Sequence, residues 1–192
     1  MINFKKITLL ILLFLSMFTM AQNQNKSPFY ELPEQPETYT AGTVAGRMVE
    51  SLGFRYYWAT QGLTETDLAY KPNPDVRSTK ETIEHIYNLS QIIVNATLNK
   101  INSSSDLSNF TFEDIRNKTL LSLEEAANIL KLSEDLSQFK IIFGTKEIPF
   151  WNEINGPIAD AIWHCGQIAS FRRISGNPIN SKVDHFNGKV KP

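Results

Sequence analysis

The sequence predicts an all-α protein, a four-helix bundle with long connections. Apolar residues recur at helical spacing in four separate stretches. Two Ser-x-x-Glu capping boxes, Ser78-Thr79-Lys80-Glu81 and Ser122-Leu123-Glu124-Glu125, mark helix starts. No strands alternate at a spacing that would build a sheet. Helices of about 18 to 23 residues separated by longer connections make a bundle the economical way to bury their apolar faces.

The first element is not part of that fold. Lys5 and Lys6 precede an apolar run over residues 7–20, and Ala21 follows. This is the layout of a secretory signal over residues 1–21, with Thr19 and Ala21 as the small residues ahead of a cut before Gln22. The run is about 14 residues, short of the roughly 20 that a membrane-spanning helix needs. No Cys stands at the cut, which argues against a lipoprotein. The expectation is therefore an exported protein, periplasmic or secreted, with no stable membrane span. Its single cysteine, Cys165, forms no internal disulfide, so the core must hold the fold unaided.

Residues 22–40 carry Pro28, Pro33 and Pro36 and read as an extended lead-in. Over residues 41–61 Met48, Leu52, Tyr56 and Ala59 fall on one face, giving a first helix. A connector with Pro72 and Pro74 leads to the Ser78 box and a second helix reaching about residue 100. Residues 110–118 read either as a helical turn or as a short extended piece. The Ser122 box opens a third helix to about residue 139, and residues 140–143 are either its end or a short strand. A loop over residues 144–156 follows. Pro157 then suits the first turn of a fourth helix, where its missing N–H costs nothing, and Gly176-Asn177-Pro178 stops that helix. The bundle spans residues 41–179, and residues 180–192 form a polar tail. There is no internal repeat.

Composition excludes several functions. Hydrophobic residues at 42% and charged residues at 20% exclude a chain disordered throughout. The 19 Lys+Arg against 20 Asp+Glu give a net charge of −1 with no basic block, so nucleic acid is not a partner. There is no Gly-rich phosphate loop, no serine nucleophile elbow and no Cys-x-x-Cys pair. The five Asn-x-Ser/Thr triplets, at Asn88, Asn95, Asn102, Asn109 and Asn117, read as chance in an Asn-rich chain.

Two of the three histidines sit where a bundle site needs them. His85 shares an apolar stripe with Leu89, Ile92 and Ala96 on the second helix. Ala161, His164, Ile168 and Phe171 form a similar stripe on the fourth, with Asp160 one turn before His164. Asp160 and His164 can chelate one cation, and His85 can close the site from across the bundle. Two His and one carboxylate with open positions suit Zn, Fe, Mn or Ni. The same spacing also suits a buried Asp–His hydrogen bond with no metal. Gln167, almost one turn after His164, is placed to orient a ligand. Cys165 reads as a small core residue, Arg172 and Arg173 as cations at a helix C-terminus or contacts for an anion, and His185 as surface.

The segment running from Gly156-Pro157 through Asp160, His164-Cys165-Gly166-Gln167 and Ile168 resembles the last bundle helix of the DinB (damage-inducible) superfamily. There a His is followed by Arg-Gly-Gln or a close variant. The stretch Arg77-Ser78-Thr79-Lys80-Glu81-Thr82-Ile83-Glu84-His85-Ile86 resembles the family's helix bearing its first His ligand. The connector from Leu63 to Pro72 resembles what precedes that helix. The resemblance implies a four-helix bundle holding a divalent metal through one His on the second helix and a His-x-x-x-His pair on the last. His85 matches the first ligand and His164 the third. Asp160 stands at the middle position in place of a His, which gives a harder, anionic donor.

Characterised members include thiol-dependent S-transferases using bacillithiol or mycothiol, and a mycothiol-dependent maleylpyruvate isomerase. The resemblance thus implies a metal-dependent transferase in which a small-molecule thiol attacks an electrophile, or a neighbouring metal-dependent hydrolase. It admits a homodimer. The alternative is a non-catalytic exported bundle that binds a small molecule or a protein and keeps a degenerate metal site.

Overall fold

The computed structural model describes residues 27–192. The expected export signal over residues 1–21 lies outside the described residues, as does the start of the lead-in. The chain is mostly helical with little strand. Four long helices, α1 (Ala41–Thr60), α3 (Thr79–Thr97), α4 (Phe112–Lys131) and α6 (Ala159–Ile174), carry most of it. Short helices α2 (Glu65–Ala69) and α5 (Trp151–Glu153) lie in the connections, with a 3-10 turn over Leu136–Gln138 and a π turn over Ile154–Ile158. Among the described residues no helix is long and apolar enough to cross a membrane.

Each long helix packs against two others. α4 contacts α1 and α3, and α6 contacts the same two from the other side. Their apolar stripes meet in one core. Val49, Leu52, Phe54 and Tyr56 of α1, Ile83, Ile86 and Ile93 of α3, Ile115, Leu120, Leu123 and Leu130 of α4, and Ala161 and Ile168 of α6 are all fully buried. Each such aliphatic side chain contributes about 1.5–3 kcal/mol. α1 and α4 approach closely because Gly42 has no side chain. A Cβ there would collide with the carbonyl oxygen of Leu130 in α4 and with that of Ser133 just beyond it.

Capping boxes open the first four helices. Ser78 and Glu81 cap α3 reciprocally, with Ser78 N–H donating to Glu81 Oε2 at 2.6 Å and Glu81 N–H to Ser78 Oγ at 3.2 Å. The helix expected from residue 122 begins ten residues earlier. Thr111 and Asp114 form its box, at 3.1 and 3.0 Å, so residues 112–118 are helical and Phe110 and Thr111 lead into them. Ser122 lies inside the helix, where its hydroxyl accepts from Gln91 Nε2 on α3. A Thr-x-x-Asp box does the same physical work as Ser-x-x-Glu.

α4 also ends earlier than expected, at Lys131. Residues 140–143 are a strand. β1 (Lys140–Phe143) pairs antiparallel with β2 (Lys146–Pro149), with Ile141 opposite Ile148 and Phe143 opposite Lys146. Gly144 takes φ +58° at the first position of the two-residue turn, as a II′ hairpin requires. The expected loop over residues 144–156 is thus half of a hairpin followed by α5 and the π turn. The tail folds too. β3 (Val183–Asp184) pairs with β4 (Lys189–Val190), and Leu32 N–H donates to Gly188 O, tying the lead-in to the C-terminus.

Two buried polar clasps fix the C-terminal end of α6. Arg172 is buried, and its Nη1 meets the carbonyl oxygens of Trp58, Ala59 and Gln61 at 3.0, 3.0 and 3.1 Å. It therefore satisfies the orphan carbonyls at the end of α1. Asp67 accepts from Ser175 Oγ, Asn177 Nδ2 and both the N–H and hydroxyl of Thr64. These clasps set where α6, and so Asp160 and His164, stand relative to the other helices.

Candidate metal centre

His85 comes from α3, one turn inside its capping box. Asp160 and His164 come from α6. α6 starts at Ala159, two residues later than Pro157 suggests, because the π turn intervenes and Gly156 leaves helical geometry at φ −93°, ψ −111°. Such turns are often found beside functional sites. Here the turn delivers Asp160 in the first turn of α6, where a carboxylate is favoured by the helix dipole.

The structure brings all three residues together. His85 Nε2 lies 3.2 Å from Asp160 Oδ2, and His164 Nε2 lies 3.3 Å from Asp160 Oδ1. One carboxylate thus faces both imidazoles. The two rings sit edge to face with centroids 4.7 Å apart. One donor atom from each residue lies within 4.8 Å of the other two. Two ligands on a tetrahedral ion at usual metal–nitrogen lengths are about 3.4 Å apart, so the observed spacings suit a shared divalent ion. His164 is the deepest of the three, with its side chain 12% exposed, against 28% for His85 and 44% for Asp160. The site therefore opens to solvent on the carboxylate side.

Gln167 holds the cluster from behind. His164 Nδ1 donates to Gln167 Oε1 at 2.7 Å. With Nδ1 engaged by Gln167, Nε2 is the ring nitrogen that His164 turns toward Asp160. Burial lowers the pKa of His85, outweighing its hydrogen bond to Asp160, and the nearby charge of Arg77 opposes a proton on it further. His85 is accordingly a neutral imidazole near pH 7, the form that ligates.

Other sequence candidates stand elsewhere. Cys165 is buried, and burial pushes its thiol up to about 12, so it is a core residue and no nucleophile. Arg172 meets no solvent anion, because it caps α1 internally, whereas Arg173 is exposed. His185 is exposed on the tail hairpin, its ring against Phe54.

Two residues went unnoticed in the sequence. Glu153 is fully buried with neither carboxylate oxygen hydrogen-bonded, and burial raises its pKa to about 8. Arg77 precedes the α3 cap and is exposed. A cation beside a helix N-terminus opposes the helix dipole, and that mismatch was the readable signal.

No protein-family model matches the chain, and no curated protein matches it.

Proposed function

We propose that this chain is an exported, divalent-metal-dependent enzyme of DinB type, with its long helices forming a four-helix bundle. His85, Asp160 and His164 hold the ion, and Gln167 orients His164. The observation that carries this reading is the Asp160 carboxylate shared between two imidazole nitrogens. The bond to Gln167 leaves His164 Nε2 facing a carboxylate oxygen of Asp160, so that an ion between them would take both as ligands. The donor set, two imidazole nitrogens and one carboxylate, fits Zn, Ni, Mn or Fe(II).

When bound, such an ion would lower the pKa of a coordinated water or thiol. The chain's own part is to fix the donors, keep His85 neutral and leave the carboxylate side open for a substrate. Thiol transfer to an electrophile and hydrolysis are the two reactions that such a site supports. The test is thermal unfolding of the purified protein with and without added Zn, Ni, Mn or Fe(II). A bound ion raises the midpoint by mass action, and His85→Ala abolishes the rise. No rise with any of the four metals overturns the reading.

A separate observation favours a second reading, a bundle that binds an apolar small molecule. A cavity of about 880 Å³ lies between α1 and the β1–β2 hairpin. Tyr39, Val44, Met48, Phe150, Trp151 and Ile154 are among its lining residues. Saturable binding of an apolar fluorescent probe, blocked by Val44→Glu, supports it. Binding unaffected by that substitution contradicts it.

A further inference from the structure

The apolar cavity between α1 and the β1–β2 hairpin has a polar neighbour. A second cavity, of about 590 Å³, adjoins it, and Tyr39, Val44 and Met48 line both. Ile162 of α6 is also part of the second cavity's lining. It stands two residues from both Asp160 and His164, so it leaves the helix on roughly the opposite side from the metal cluster. The inference below therefore rests on the second reading above, the apolar cavity, and is independent of the metal centre.

The lining changes character along α1. Ala41 and Ala45 belong to the first cavity, and Arg47, Glu50 and Ser51 to the second. From Ala41 to Arg47 is about 9 Å along the helix axis. The two charged residues in the first cavity, Lys140 and Glu147, pair with each other and leave that end neutral. The second end is different. The buried carboxylate of Glu50 is shared by two cations, with Lys131 Nζ 2.6 Å from Oε1 and Arg47 Nη1 3.3 Å from Oε2. The other acid of this lining, Glu34, pairs with Lys189 at 2.9 Å. Two cations on one carboxylate leave a surplus positive charge. Arg47 Nη1 also donates to Pro33 O at 3.0 Å, which fixes the guanidinium plane. Its Nε and Nη2 have no partner among the described residues. Those two donors on one edge of the plane match the two oxygens of a carboxylate.

We propose that the two cavities together bind a free single-chain carboxylate, a fatty-acid-like anion, with its alkyl chain in the apolar cavity and its head at Arg47 Nε and Nη2. Apolar walls with a few convergent polar groups at one end take an amphipathic ligand in one orientation. A cationic head would meet the surplus positive charge of Arg47 and Lys131, and an alcohol would leave that charge uncompensated.

The test is displacement of Nile red from the purified protein, read by fluorescence. The competitors are octanoate, decanoate, decan-1-ol and decyltrimethylammonium, in wild type, Arg47→Gln and Arg47→Lys. The proposal expects decanoate to compete about tenfold or more better than decan-1-ol or decyltrimethylammonium, as a charge-assisted hydrogen-bonded pair does. It expects decanoate to outcompete octanoate about tenfold, because each buried methylene tightens binding about fourfold. Arg47→Gln removes the preference for the carboxylate and leaves Nile red binding unchanged, and Arg47→Lys restores part of the preference. Glu50 keeps Lys131 in these variants, and circular dichroism checks that they fold. The comparison of decanoate with decan-1-ol in wild type decides the matter without them. Nile red that binds but yields equally to decanoate and decan-1-ol overturns this inference alone, as does a preference for decanoate that survives in Arg47→Gln. Sedimentation with phosphatidylglycerol vesicles without a preference for free decanoate makes the face a membrane contact and overturns it too. No saturable Nile red binding, or binding that Val44→Glu leaves unchanged, overturns the cavity reading and this inference with it.

Discussion

His164 donates through Nδ1 to Gln167 Oε1 at 2.7 Å, and that bond decides which nitrogen of the ring faces Asp160. An i,i+3 pair on one helix thus fixes the tautomer of a residue whose other nitrogen belongs to the site.

Gln167→Leu removes this support while leaving His85, Asp160 and His164 in place. The account predicts metal affinity lower by about 10- to 100-fold. Gln167→Glu, which still accepts the Nδ1 proton, retains it. Competition with a chromophoric chelator measures both. Unchanged affinity in Gln167→Leu contradicts the orienting role.

Arg172 is the second test, of fold rather than chemistry. Arg172→Met leaves the carbonyls of Trp58, Ala59 and Gln61 without their buried donor. Each unsatisfied buried group costs about 1–3 kcal/mol, so the variant loses about 3 kcal/mol or more. Urea unfolding reads it. A loss similar to that of an exposed substitution such as Arg173→Met contradicts the clasp.

Asp67 sets part of the acid limit. Burial pushes its carboxyl up, but the hydrogen bonds from Ser175, Asn177 and Thr64 together hold it well below the usual carboxylate range. A depressed carboxylate contributes stability that is complete above its unfolded pKa of 3.8 and is lost as pH falls toward its folded value. Asp67→Asn is therefore less stable than wild type at pH 7, and the gap narrows as pH drops below 4, about the unfolded value. A gap independent of pH contradicts the assignment. Urea midpoints across the acid range measure it.

Glu153 acts in the opposite direction. Its carboxyl ionises near 4.5 when unfolded and near 8 when folded, because of burial. Between these values folding takes up a proton, so this group lowers stability as pH rises, by on the order of 1 kcal/mol per pH unit, and the effect levels off above the folded value. Glu153→Gln gains on wild type across that window. A difference that stays constant over it rules the assignment out.

The features that could be read from the sequence are the local ones. The Ser78–Glu81 box, the i,i+4 spacing of Asp160 and His164 and the apolar stripe around His85 are all set within a few residues, and helical geometry turns such spacings into positions. The start of α4 is also local, but two boxes compete for it in the sequence, Thr111–Asp114 and Ser122–Glu125, and only the first caps the helix. Residues 140–143 are ambiguous because one lysine followed by three apolar residues does not separate a strand from a helix end. Only the Gly144 turn and the pairing of Ile141 with Ile148 decide the matter. The role of Arg172 and the burial of Glu153 had no local signal. Both depend on where α6 and the π turn come to rest against helices distant in sequence.

The central claim is that His85, Asp160 and His164 hold one divalent ion. Its most direct test is metal content by inductively coupled plasma mass spectrometry, on protein purified without chelators and then offered Zn, Ni, Mn and Fe(II), beside His164→Ala. The account predicts about one ion per chain, lost in the variant. Wild type that takes up none of the four metals, or His164→Ala that keeps its ion, would contradict it.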